Sequence, residues 1–343
     1  MICAACGELT PQAPCTTCGD APLLDQRYRL EEVLGQGPQG TTYRATSMAD
    51  GSAVVVKELR VQAHLADKRR ELFVREAHVL RQLDHPAIPR YIDDFEVRSG
   101  RWRTLCLVQA FIEGASLASI ALDHRYEQDE VLEITAALLD ILTYLHELSP
   151  PVVHRDIKPS NVIRRSDGGL SLVDFGAVRD ALKDPDLGGS TVAGTFGYMA
   201  PEQFAGDASP RTDLYGVGAL AVALLTRREP HTLLDLRNRM DWEVHATPHP
   251  ALAVVLHRLL APDPEARPES ARLAQSEVKW AREEMRANPE IAALARRQPQ
   301  ELVPSTPLVQ RGWQRKNPAL HSRVTRSPGC RVTWPAGAGA RPG

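Results

Sequence analysis

At 343 residues and 43% hydrophobic content, the chain carries enough apolar side chains for one large domain with small additions. A net charge of -2 gives no overall pull toward nucleic acid or membrane, and 5% aromatics weakens any base-stacking role. No apolar run reaches the roughly 18–20 residues of a membrane span, and Met1-Ile2-Cys3 lacks the charged and apolar regions of a secretory signal, so a soluble, intracellular, cytoplasmic protein is expected.

Four of the six cysteines open the chain as two C-x-x-C pairs, Cys3 with Cys6 and Cys15 with Cys18. Each pair is followed by a glycine, Gly7 or Gly19, whose freedom at positive φ lets the backbone turn tightly around an ion. Four thiolates at this spacing suit tetrahedral Zn²⁺. Two disulfides or a redox C-x-x-C are the alternatives, but the chain reads as cytosolic, where structural disulfides are uncommon. The gap of eight residues between the pairs is short for a zinc module and holds too few apolar residues for a metal-free core. Residues 1–22 are therefore expected to be a minimal zinc ribbon. With four protein ligands it has no open catalytic position, so its role is structural or partner-binding.

Residues 21–26 read as a linker. From Tyr28 the pattern is strand, glycine-rich turn, strand, with Gly35, Gly37 and Gly40 spaced as G-x-G-x-x-G. That spacing alone is shared with dinucleotide folds. The β-rich run after it argues for a hairpin lying over nucleotide phosphates. A third strand, residues 53–57, ends at Lys57, and residues 69–83 place Leu72, Phe73, Ala77, Val79, Leu80 and Leu83 at helical spacing, with Glu76 among them. His85, in the turn that follows, is expected to pack there. Residues 105–114 read as a further strand containing a buried Cys106, and residues 132–148 as a core helix, with Leu132, Ala136, Leu139, Leu142, Leu145 and Leu148 three or four apart.

The helix leads into the stretch around which the chain is organised. Two β-rich runs, 151–153 and 170–173, flank a loop with Asp156, Lys158 and Asn161, and the second run ends at Asp174. Any one of these acids or amides is suited to capping a turn. Together they make a reaction site: Asp174 and Asn161 offer hard oxygen ligands for Mg²⁺, Asp156 is free to accept a proton from an attacking hydroxyl, and Lys158 can offset charge on a transferred phosphoryl group.

The loop reads H-R-D-I-K-P-S-N over residues 154–161, D-F-G over 174–176, and G-T-F-G-Y-M-A-P-E over 194–202. These motifs resemble the eukaryotic-type (Hanks-type) protein kinase family, and Lys158 resembles its serine/threonine branch, most familiar here from bacteria. The resemblance covers residues 28–285. It implies an α+β, bilobal fold, with a small β-rich N-lobe and a larger helical C-lobe, preceded by the ribbon. It also implies transfer of the ATP γ-phosphoryl group to Ser or Thr of protein substrates, including the chain itself, with Mg²⁺ or Mn²⁺. Lys57 would hold the α- and β-phosphates and pair with Glu76 rather than Glu71. Gln109 would stand as gatekeeper before a hinge in which the backbone of Ala110 to Ile112 meets adenine. Thr195 would bond Asp156 and Lys158, Asp213 would steady the catalytic loop, and Arg267 would pair with Glu202. Ser190 and Thr191 are candidate phosphorylation sites that Arg155 could order. Two departures, Pro38 at the glycine-rich tip and Thr42 where Val is usual, are expected to weaken ATP binding. Many bacterial relatives carry a transmembrane segment after the kinase domain, and the sequence shows none.

Residues 286–343 are expected to be a disordered tail: from Arg296 onward there are nine Lys or Arg, one acid (Glu301), and many Pro and Gly. Cys330 receives no role. The ribbon is a candidate site for a partner, and signal input is expected to arrive by a route other than a membrane span. Nucleic acid is disfavoured, since the ribbon has no Lys or Arg before Arg27. Alternative readings are a pseudokinase or a zinc-dependent scaffold.

Overall fold

The computed structural model describes residues 1–37, 40–62, 68–99, 102–176, 179–180, 195–235, 239–289 and 291. Pro38, Ser190, Thr191, Gly194, Cys330 and the rest of the tail after Ile291 lie outside the described residues, as does the Leu72 side chain.

Alternating, β-branched sequence builds the first lobe. Strands β1 (Tyr28–Gly37), β2 (Gly40–Ser47) and β3 (Ala53–Gln62) run antiparallel, followed by helix α1 (Lys68–Gln82) and strands β4 (Tyr91–Ser99) and β5 (Trp102–Ala110). The sheet order is β1-β2-β3-β5-β4. Side chains on β3 alternate between two cores, as the two-residue period of a strand requires. Leu59 and Val61 pack with Phe73, Ala77 and Leu80 of α1, whereas Val54 and Val56 pack on the opposite face with Cys106 and Val108 of β5.

The second lobe is mostly helical. After β6 (Gly114–Ser116) and the short α2 (Leu117–Ile120), helix α3 (Gln128–Glu147) begins at a capping box in which Glu127 and Glu130 each satisfy the other's backbone amide. It buries Val131, Leu132, Ile134, Leu138, Leu139, Ile141, Leu142 and Leu145. Strands β7 (Val152–Val153), β8 (Val162–Arg165) and β9 (Leu170–Leu172) follow, and β10 (Arg179–Asp180) pairs with β7. Helices α4 (Pro201–Phe204), α5 (Pro210–Thr226), α6 (Pro250–Leu259) and α7 (Ala271–Ala287) complete it. Helix α5 is apolar nearly all round and is buried from Thr212 to Leu224, as such a helix must be. Among the described residues, no helix is long and apolar enough to cross a membrane.

Residues 21–26, read as a linker, are packed against the sheet. Leu24 is buried, its amide and carbonyl both bond to Tyr28, and the Pro22 carbonyl accepts the Ala4 amide. Ile2 bridges to Leu30 on β1, its N–H 2.8 Å from the Leu30 carbonyl. Ile2 and Leu24 complete the outer core of Leu30, Val54, Val56 and Val108. One face of the cysteine segment is thus taken by the chain's own sheet. The physical reason is the outward face of β1–β3, which is too apolar to leave in water.

If Leu24 belongs to this core, Leu24→Ala should lower the unfolding free energy by about 2–4 kcal/mol in a denaturant titration. A loss below about 0.5 kcal/mol, the range of an exposed substitution, would contradict the shared core.

Candidate active site

Strand β3 delivers Lys57 to the face shared with α1. There its Nζ lies 3.0 and 2.8 Å from the two carboxylate oxygens of Glu76 and 3.0 Å from Asp174 Oδ1. Burial opposes the lysine charge, but Asp174 and Glu76 outweigh it and hold the ammonium above the ordinary lysine range. Glu76 is pushed upward by burial, with Lys57 acting against that shift. The Asp174 carboxyl is held down to about 2, first by the Lys57 charge, against burial. Its side chain is 40% exposed, so the ion pair dominates and one carboxylate edge faces the cleft.

The loop between β7 and β8 gathers the second set. Lys158 Nζ donates to Asp156 Oδ2 and to Thr195 Oγ1, each at 2.7 Å, and the Thr195 hydroxyl donates to Asp156 Oδ1 at 3.0 Å. Asn161 Nδ2 donates to the Asp156 carbonyl at 2.9 Å and to its Oδ2 at 3.1 Å. Those donations fix the Asn161 amide so that its carbonyl oxygen points away from Asp156. The Val173 N–H bonds the Asn161 backbone carbonyl, tying this loop to Asp174.

The loop is held from beneath by one carboxylate. Asp213, 1% exposed on α5, accepts the His154 and Arg155 amides at 2.8 Å each and faces His146 Nε2 at 2.9 Å. Arg155 sits at φ 69° and Asp174 at φ 66°, left-handed conformations that cost energy for residues with a Cβ and persist where surrounding bonds over-determine them. Burial lowers the His154 pKa from the ordinary histidine range, against the pull of Asp213; its Nε2 faces the Val173 carbonyl and its Nδ1 the Asp156 amide. Its ring packs edge-on against Phe175, 4.8 Å between centroids.

Arg267 pairs with Glu202 through two parallel bonds of 2.6 and 2.9 Å and lies over the Tyr215 ring. Its guanidinium also donates to the carbonyls of Ala261, Arg211 and Pro262. Sequence reasoning missed Gln203, which accepts the Ala200 amide and donates to the Arg155 carbonyl at 3.0 Å. Its position directly after Glu202 was the available signal.

The glycine-rich hairpin lies beside Lys57, with Gly35 opposite Thr42 and Thr42 opposite Lys57. Gly40 has φ +118°, and a Cβ there would fall 1.9 Å from the Glu58 carbonyl, so the fold itself demands glycine. A Cβ at Gly35 or Gly37 would meet open space. Gln109 pairs with Val55 and Tyr91 across the sheet. Beyond it the Ala110 and Phe111 amides are taken by the Arg90 and Ala53 carbonyls, while the Ile112 amide has no backbone partner among the described residues.

The cysteines form a separate cluster. Cys3 and Cys18 sulfurs lie 3.8 Å apart and Cys6 and Cys15 sulfurs 3.7 Å, with all four within 4.8 Å of one another. A tetrahedron of Zn–S bonds near 2.3 Å has S···S edges of about 3.8 Å, whereas a disulfide is near 2.0 Å. All four thiols are free. Cys106 is buried and raised far above the ordinary thiol range by that burial, and His85 packs on Tyr144, both as expected.

The sign of the Asp174 shift sets a pH test. A carboxylate depressed in the folded state contributes its stability above its ordinary pKa and loses it as pH falls through the folded value. The stability gap between wild type and Asp174→Asn should stay constant above about pH 5 and shrink as pH falls from about 4 toward 2. A gap that widens on acidification, read by denaturant unfolding, would contradict the ion pair.

Residues 28–279 match the protein kinase domain. The chain is 34% identical over 278 residues to serine/threonine-protein kinase B of Synechocystis, covering 75% of this chain and 47% of that protein. It is 35% identical over 267 residues to serine/threonine-protein kinase PknA of Nostoc, covering 73% and 46%. A serine/threonine-protein kinase of Myxococcus xanthus is 33% identical over 273 residues, covering 74% and 32%. The chain thus spans less than half the length of each of these relatives. With the two lobes, the Lys57–Glu76 pair and the Asp156 cluster in place, these matches show that the chain belongs to the protein kinase family.

Proposed function

We propose that the chain is a serine/threonine protein kinase, transferring the γ-phosphoryl group of Mg-ATP to hydroxyls of protein substrates, itself included. The observation that carries this reading is the Asp156 carboxylate, held by Lys158, Thr195 and Asn161 at 2.7–3.1 Å with Lys57, Glu76 and Asp174 joined across the cleft. The named activities of its relatives point the same way.

Each group then has a task. Lys57, steadied by Glu76, takes the α- and β-phosphates, and the hairpin of Gly35, Gly37 and Gly40 covers them. The adenine edge meets the Ala110 carbonyl and the Ile112 amide, which has no backbone partner among the described residues, with Gln109 behind it. The exposed carboxylate edge of Asp174 and the carbonyl oxygen of Asn161 are the metal ligands, a hard-oxygen set that suits Mg²⁺ or Mn²⁺. A bound Mg²⁺ supplies charge neutralisation on the phosphate oxygens. Asp156 accepts the hydroxyl proton while Lys158 offsets charge gathering on the transferred group, and Thr195 keeps both aligned. Little covalent work falls to the protein, so the rate comes from positioning and electrostatics.

Cys3, Cys6, Cys15 and Cys18 hold a structural Zn²⁺ in this reading, supported by sulfur spacings that already match the coordination tetrahedron. Residues 1–22 form the ribbon and 28–285 the kinase domain, with 286–343 a tail. Reduced thiols at metal spacing suit a reducing compartment.

Asp156→Ala should reduce phosphoryl transfer from labelled Mg-ATP to a Ser/Thr peptide mixture, or to the chain itself, by about 10²–10⁴-fold. Transfer unchanged by this substitution would sink the assignment. Metal analysis of the purified chain should find one zinc per chain, lost in Cys3→Ser. A zinc-free wild type of equal stability would refute the ribbon.

A further inference from the structure

Helix α7 carries two stripes. Ala274, Val278, Ala281 and Met285 are buried in the C-lobe core. Beside them, at helical spacing, stand Leu273, Glu277 and Trp280, with Leu273 50% and Trp280 46% exposed. Together with Arg258, Pro268 and Glu269 these side chains line a groove of about 310 Å³ where α6 and its connection meet α7. Arg258 pairs with Glu277 at 3.1 Å, and Glu269 is exposed. An indole and a leucine left half in water offer an apolar area that a second surface can cover.

The chain carries a segment of matching chemistry a short way beyond this helix. Residues 302–311, outside the described residues, read Leu-Val-Pro-Ser-Thr-Pro-Leu-Val-Gln-Arg. Pro304 and Pro307 have the P-x-x-P spacing that suits a polyproline II helix, a form that docks in grooves lined by aromatic rings at little cost in entropy. Helix α7 ends at Ala287, which puts Trp280 about 10 Å and Leu273 about 21 Å back along its axis. As a coil, the stretch from Ile291 to Pro304 covers on the order of 20 Å. A tether of that reach presents the segment at an effective concentration on the order of 1 mM, enough to fill a shallow groove that a free peptide would fill poorly.

We propose that the groove of Trp280 and Leu273 is the docking site for the chain's own residues 302–311, laid antiparallel to α7. At about 3.1 Å per residue, Pro304 and Leu308 stand about 12 Å apart, close to the spacing of Trp280 and Leu273. Pro304 then covers the indole and Leu308 covers Leu273. Arg311, three residues further on, arrives at Glu269, just before the start of α7. Charge and apolar contact therefore agree in one register. Pro268, which lines the groove, directly follows Arg267, so the docked segment lies against the connection whose arginine pairs with Glu202.

The test is hydroxyl-radical footprinting of the full chain, read by mass spectrometry as the oxidation rate of Trp280 against that of Met48, which is half exposed on the N-lobe. It reads the groove and not phosphoryl transfer, so it stands whatever the chain's activity. In the Pro304→Gly/Leu308→Ser/Arg311→Glu variant, which alters no residue of the groove, the Trp280 rate should rise about fivefold, as expected when a mostly filled site is emptied. Glu269→Arg alone should also raise it, and combining Glu269→Arg with Arg311→Glu should bring it back toward the wild-type rate. A defect in folding would not be reversed by that exchange of charges. A Trp280 rate equal in the wild type and the tail variant overturns the proposal and leaves the groove to a partner outside the chain. Continued exposure in the charge-exchanged variant overturns the register. Wild-type protection that fades on dilution would assign the groove to the tail of a second copy and overturn docking within one chain.

Discussion

The Lys57 ammonium, shared between Glu76 and Asp174, joins three parts of the chain that sequence keeps far apart. β3 supplies the cation, α1 one carboxylate and the end of the β8–β9 hairpin the other. A buried cation with a single partner is marginal, because desolvation consumes what the charge pair returns. Two carboxylates keep it charged, and one of them remains open to the cleft. The same contact therefore ties helix to sheet and one lobe to the other, and leaves the Asp174 side chain partly exposed.

Beneath this contact the C-lobe repeats the strategy with backbone rather than side chains. Asp213 accepts two consecutive amides, at His154 and Arg155, and so stabilises a left-handed Arg155 that would otherwise be costly. The turn this creates brings Asp156 to Lys158, Asn161 and Thr195. Glu202 and Arg267 then pin the segment after Thr195 to α5 and to the loop before α7, both charges satisfied by further hydrogen bonds. In the N-lobe, β3 lies between the cysteine segment and the Lys57 ion pair through its own alternation. Its Val54 and Val56 lean on Ile2 and Leu24, and its Lys57 faces the other way. The cysteine segment and the Lys57–Glu76 pair thus bear on opposite faces of one strand.

The parts of the site legible in sequence are those where a local run imposes the geometry. The loop from His154 to Asn161, the Asp174 turn and the Thr195 segment each place their polar groups within a few residues, and α3 announces itself by leucine spacing. The structure brings all of them together, with the Lys57–Glu76 pair as expected. What stayed hidden depends on contacts between distant runs. Ile2 and Leu24 sit beside Met1 and Leu23 in short apolar pairs without periodicity, so nothing local says that they cover a sheet. The Lys57–Asp174 contact spans 117 residues, and no spacing rule reaches that far. Exposure of Phe196 and Phe204 runs against the usual tendency of aromatics to be buried, and only the folded surface reveals it.

The most direct measurement is calorimetric titration of ATP into the wild type and into Lys57→Met, each with and without Mg²⁺. A cation and a carboxylate edge that jointly hold a metal-bound triphosphate predict one ATP per chain, with affinity falling on the order of tenfold when Mg²⁺ is withheld and again when the ammonium is removed. Equal ATP affinity under all four conditions, or no binding to the wild type, would contradict the account.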